Sequence, residues 1–130
     1  MRIRHSFVVA TVALMITSCD SGNEWKSGDY AVYWIDSPSN RSLGFELKRG
    51  TYLGRVGPQV FAVGEDERWI VAGRFVDGDK KNAEFYYFSK NLDGKDKNSE
   101  DVVRGPFDRS AYLAEKHARN LPDLSVYFDK

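Results

Sequence analysis

A chain of 130 residues has the length of one domain, and its 42% hydrophobic and 14% aromatic content excludes an intrinsically disordered segment. Basic and acidic side chains balance, 19 against 19, which removes the electrostatic case for nucleic acid or a strongly anionic partner. Loss of residues 1–18, argued next, takes Arg2 and Arg4 with it and leaves 17 basic against 19 acidic side chains, a net charge of −2.

Met1 to Ser18 is laid out as an export signal. Arg2, Arg4 and His5 make a positive start, and Phe7–Ile16 is an apolar run broken only by Thr11. Such a run is too short for a membrane-spanning helix, which needs about twenty residues. Thr17 and Ser18 are small, and Cys19 follows as the only cysteine of the chain. Ile16-Thr17-Ser18-Cys19 resembles the lipobox of bacterial lipoproteins. That resemblance implies diacylglyceryl attachment to the Cys19 sulfur, cleavage after Ser18 and acylation of the new amino terminus. Several acyl chains satisfy the two-anchor requirement for stable membrane residence. The implied location is the extracytoplasmic face of a cell membrane, and Asp20 favours the inner membrane if the cell is Gram-negative. The alternative is an ordinary cleaved signal, which would leave an exported protein with one free thiol.

Residues 19–28 are polar and small and read as a lipidated tether, with Trp25 either tucked into the domain edge or set in the membrane interface. A single domain is expected over residues 29–130. Asp29–Asp36 reads as a strand with Tyr30, Val32 and Trp34 on one face. Ser42–Lys48 alternates as a half-buried strand, and Thr51–Val56 follows a tight turn at Arg49-Gly50. Val60–Val63 and Trp69–Val76 flank Gly64-Glu65-Asp66-Glu67, which is turn chemistry. Both strands of this hairpin are apolar on both faces, so the hairpin should lie centrally and be covered on each side, with Trp69 in its core. Ala83–Lys90 is the next strand. Asn91–Asp101 is the longest polar stretch and reads as a mobile loop, with a brief extended piece at Val102-Val103. One helix is expected from an N-cap at Asp108 to a stop at Pro122, with Phe107 as a staple and Ala111, Ala114, Ala118 and Leu121 facing inward. The order predicts an α+β fold, an antiparallel sheet of five to seven strands with one C-terminal helix packed on it. An all-β sandwich carrying a terminal helix is the alternative.

Catalytic motifs are not legible. Asp93-Gly94-Lys95-Asp96-Lys97-Asn98 places lysines where a calcium loop needs oxygens. Glu65, Asp66 and Glu67 are neighbours on one turn, where carboxylates point apart, which leaves a hydrolase only a weak reading. His117 has no partner that the sequence can place. No catalytic residue, metal ligand or cofactor is therefore assigned. The aromatic load is the informative feature. Tyr33, Trp34, Tyr52, Tyr86 and Tyr127 are the candidates for an exposed binding surface, against the plainer reading of core packing.

Gly54-Arg55-Val56, Val60–Ala72 with its G-E-D turn, Tyr86-Tyr87-Phe88 and Gly105-Pro106-Phe107 together resemble a family of small bacterial lipoproteins carrying a domain of unknown function. The resemblance implies the fold and the anchoring, and no activity. The expected function is a membrane-anchored, non-enzymatic binding module with a protein partner, of the inhibitor or immunity type. The alternative is an envelope structural or assembly accessory.

Overall fold

The computed structural model of the protein describes residues 21–128. The signal segment and Cys19 lie outside the described residues. Strands β1 (Ser21–Ser27), β2 (Tyr30–Ile35), β3 (Ser42–Lys48) and β4 (Thr51–Val56) form one antiparallel sheet in sequence order. Strands β5 (Val60–Glu65), β6 (Trp69–Val76), β7 (Asp79–Ser89), β8 (Arg104–Phe107) and β9 (Val126–Tyr127) form a second, ordered β8-β7-β6-β5-β9. A helical turn, α1 (Ser99–Val102), precedes β8, and α2 (Arg109–Arg119) follows it.

Alternation along the strands of the second sheet explains how these parts stack. Ile70, Ala72 and Phe88 turn to one side and meet Tyr30, Val32, Leu43 and Val56 of the first sheet. Val71, Phe85 and Tyr87 turn to the other side and meet Tyr112 and Leu121 at the helix. The result is three layers: sheet, sheet and helix. The α+β fold with an antiparallel sheet and a C-terminal helix is thus present, with nine strands among the described residues divided between two sheets. The β5–β6 hairpin is the central element, with a core on each face. Its turn is held as its sequence suggests, the Asp66 carboxylate accepting from the Arg68 and Trp69 amides at 2.9 and 2.7 Å. Trp69 itself is only half-buried, edge-on to Tyr87 on the helix side, with the Arg68 guanidinium 4.6 Å from its ring.

Three expectations are corrected. Residues 21–27 are not a tether but an edge strand. Polar composition hides it, because β1 pairs on one side only and its bulge at Glu24 resets the alternation. Asn23 pairs with Tyr33 on one face, Trp25 with Val32 on the other, and Trp25 packs against the inter-sheet core. Residues 91–101 are not a free loop either. Asp93 reaches back to Arg55 across the molecule, with Arg55 Nη2 and Nε donating at 2.7 and 2.9 Å, and both side chains are almost wholly buried. Gly94 and Lys97 carbonyls accept from the same guanidinium at 3.2 Å.

The third correction concerns α2. Its Asp108 cap is in place, the carboxylate accepting from the Ala111 amide at 2.8 Å, a bond worth about 1 kcal/mol. Yet Ala111, Ala114 and Ala118 face solvent. The sheet-facing row is Tyr112, buried, and Glu115, half-buried, with Arg119 one turn further on and exposed at the rim; it has the same helical spacing. Tyr112 stacks on Phe85 with ring centres 4.9 Å apart, the Tyr87 hydroxyl donates to Glu115, and Arg119 lies 5.8 Å from the Tyr87 ring. One large aromatic, with the stem of Glu115 beside it, covers more of a Tyr- and Phe-rich sheet than alanines would.

Candidate functional site

A cleft of roughly 960 Å³ runs along the first sheet, from Ser21 and Ile35 at one end to Lys48 and Gly50 at the other. Three of the five expected aromatic residues line it: Tyr33, Trp34 and Tyr52. Tyr33 follows Val32, so strand alternation turns it away from the inter-sheet core. Its ring lies against Gly44 of β3, where a Cβ would come within 2.9 Å of the Tyr33 ring. Only a residue without a side chain lets the ring lie flat on the sheet there. Tyr52 then stacks on Tyr33, centres 4.0 Å apart and planes within 7°. Asn23 donates to the Tyr52 hydroxyl at 3.1 Å, which fixes the pair from the β1 side. Trp34 lies across Gly22 in the same way. The far end carries charge instead: Lys26 pairs with Glu46, and Asp29, Lys48 and Arg49 stand around them.

Two groups in this cleft, Tyr33 and Glu46, titrate away from their ordinary values. Burial raises the Tyr33 hydroxyl, with a smaller contribution from Tyr52. The hydrogen bond from Lys26 holds the Glu46 carboxyl below the ordinary range. Glu46 therefore stays ionised and Tyr33 stays protonated near pH 7, whereas a general acid or base works best with a pKa near the operating pH. What the cleft offers is two stacked aromatic faces, an indole, two exposed aliphatic side chains (Ile35 and Leu47) and a charged rim. That is equipment for stacking and apolar contact.

Tyr86 and Tyr127 do not join this surface. Alternation on β7 turns Tyr86 toward the inter-sheet core, where its hydroxyl donates to Glu84 at 2.7 Å. Tyr127 sits on β9 at the far edge of the second sheet and is 64% exposed. It borders a separate concavity of roughly 590 Å³ beside the stacked rings of Phe61 and Phe75. Phe61 sits at a bulge of β5, so alternation along that strand does not show which way its ring turns. Glu65 is held by Lys90 Nζ and Ser27 Oγ at 2.7 and 2.9 Å, and Asp66 closes its own turn, so the acidic turn does not assemble a reactive pair. His117 is exposed on α2. Among the described residues, no three His, Cys, Asp or Glu side chains converge where a metal could bind, and no helix is long and apolar enough to cross a membrane. No family model, curated protein or solved structure matches the chain.

Proposed function

We propose that the protein is a bacterial lipoprotein, anchored through Cys19 to the extracytoplasmic face of a cell membrane. Its domain is a non-enzymatic module that binds a protein partner at the Tyr33–Tyr52 part of the cleft of the first sheet, as an inhibitor or immunity-type protein does. The anchoring rests on the charged start, short apolar run and lipobox-like Ile16–Cys19 segment. The binding reading rests on the stacked Tyr33–Tyr52 pair, which lines an open cleft beside an indole and two exposed aliphatic side chains. Tyrosine and tryptophan in such a setting are the residue types that dominate binding energy at protein interfaces.

Two measurements test the two halves. Intact mass of the purified protein should show a chain beginning at Cys19 with added acyl mass, and Cys19→Ser should lose fatty-acid labelling without changing the domain's melting curve. Unacylated protein beginning at Cys19 would sink the anchor. For the module, affinity capture from detergent-solubilised envelope should recover a stoichiometric partner. The double variant Tyr33→Ala/Tyr52→Ala should weaken that partner's binding by about thirtyfold or more, the factor that corresponds to a hot spot of about 2 kcal/mol. Equal capture by wild type and by a folded double variant would refute the cleft as the binding surface.

A further inference from the structure

The lipid anchor proposed above and the position of β1 together fix how the domain meets the membrane. Ser21, two residues beyond Cys19, is already part of β1, and two residues span at most about 7 Å. No slack remains for a flexible spacer. The end of the first sheet that carries Ser21 must then sit at the lipid surface. Ser21 pairs with Ile35 and Gly22 with Trp34. The residues brought to that end are therefore an indole laid across a glycine and an isoleucine 58% exposed to solvent.

The two ends of the sheet differ in the sense a bilayer requires. From Trp34 to Asn40 the chain carries one charged side chain, Asp36, and the charges beside that stretch are Asp20 before Ser21 and the Arg41–Glu24 ion pair, in which Arg41 is buried. The opposite end gathers Lys26, Asp29, Glu46, Lys48 and Arg49. Tryptophan is the residue type enriched at the membrane–water boundary, with its apolar body in the interface and its polar edge toward water. Trp25, the nearer tryptophan in sequence, is committed to the inter-sheet core and leaves this place to Trp34. We propose that Trp34 and Ile35 form a lipid-contacting patch, so that the domain rests on the bilayer by the Ser21–Ile35 end of its first sheet and its strands rise away from the lipid.

Site-directed spin labelling of the full, acylated protein tests this. The Cys19 sulfur is blocked by its lipid, so a second cysteine at Ile35→Cys or Lys48→Cys is the only one that reacts. Each labelled protein is reconstituted in vesicles of phosphatidylethanolamine and phosphatidylglycerol. Collision with oxygen is then compared with collision with a water-soluble nickel chelate. The expected result is that the label at position 35 loses access to the chelate on reconstitution while the label at position 48 keeps it. A domain that is acylated and vesicle-bound, yet has position 35 as open to the chelate as position 48, overturns this orientation and leaves the anchor standing. Protein lacking acyl mass overturns the anchor itself, and the orientation with it. Loss of chelate access at 48 instead of 35 means the opposite end faces the lipid and also overturns the proposal.

Discussion

Replacing Arg55 with Met should destabilise the domain by about 3–5 kcal/mol, because it strands a buried carboxylate. Asp93 has no exposed side-chain surface and takes two hydrogen bonds from the guanidinium. Tyr30 and the Gly94 amide, at 2.9 and 2.7 Å, complete its shell but carry no positive charge. In the native protein burial pushes the Asp93 carboxyl up, yet the bonds from Arg55, Tyr30 and Gly94 outweigh it and hold the group below the ordinary range. A carboxyl lowered on folding stabilises the native state above its unfolded pKa, near 3.9, and that stabilisation is lost as pH falls through the lower folded value. Without Arg55 the balance reverses. Burial then dominates, the carboxyl rises on folding, and the remaining protein is more stable where Asp93 carries its proton. Urea melts of Arg55→Met should therefore show a smaller deficit in mild acid than at neutral pH. A deficit that is small and the same at both would mean that the pair contributes nothing to holding the sheets together.

The second large effect is expected at Phe88. Its ring is 1% exposed, lies between the two sheets and packs 5.5 Å from that of Tyr30. Phe88→Ala should cost about 3–5 kcal/mol, a large share of the 5–15 kcal/mol that holds a typical domain. Phe88→Leu, which keeps most of the volume, should cost under about 1.5 kcal/mol. Trp69→Ala is the useful contrast. The larger side chain is only half-buried, so its removal leaves an open notch rather than a cavity and should cost less than Phe88→Ala. Denaturant midpoints for the three variants rank these effects. A Trp69→Ala deficit exceeding that of Phe88→Ala would place the weight of the core on the helix side of the second sheet.

The elements legible in the sequence were those with local signatures. The β5–β6 hairpin declared itself through two doubly apolar strands around Glu65 and Asp66, and α2 through its Asp108 cap. What stayed hidden depends on partners distant in the chain. Arg55 is a bulge residue: Leu43 pairs with Val56 and Gly44 with Gly54, leaving Arg55 between them, so alternation along β4 does not reveal where its side chain goes. Its partner lies 38 positions away in a segment whose composition reads as solvent-exposed. The inward face of α2 was misread for a different reason. Two rows of the helix fit the same period, and only the aromatic surface of β7 decides between alanines and the Tyr112 row. In the cleft, Tyr33 and Tyr52 were identified singly, but their stacking required Gly44 between their strands. Tyr86 carried the same aromatic signal and fell on the buried face.

Proteases cut where several residues can detach from a fold at small cost, and polar loop tips are their usual entry. Residues 91–98, with exposed Lys95 and Lys97, present that composition. Their backbone, however, is tied to a guanidinium in the middle of the molecule through the Gly94 and Lys97 carbonyls. To lie extended in a protease the segment must first draw Asp93 off Arg55, which separates contacts that join the two sheets. The loop is therefore harder to digest than its composition suggests, and the weaker entry is the exposed hairpin tip from Asp77 to Lys81, which is held at the Gly78 amide by the half-buried Gln59 side chain and not by a buried ion pair.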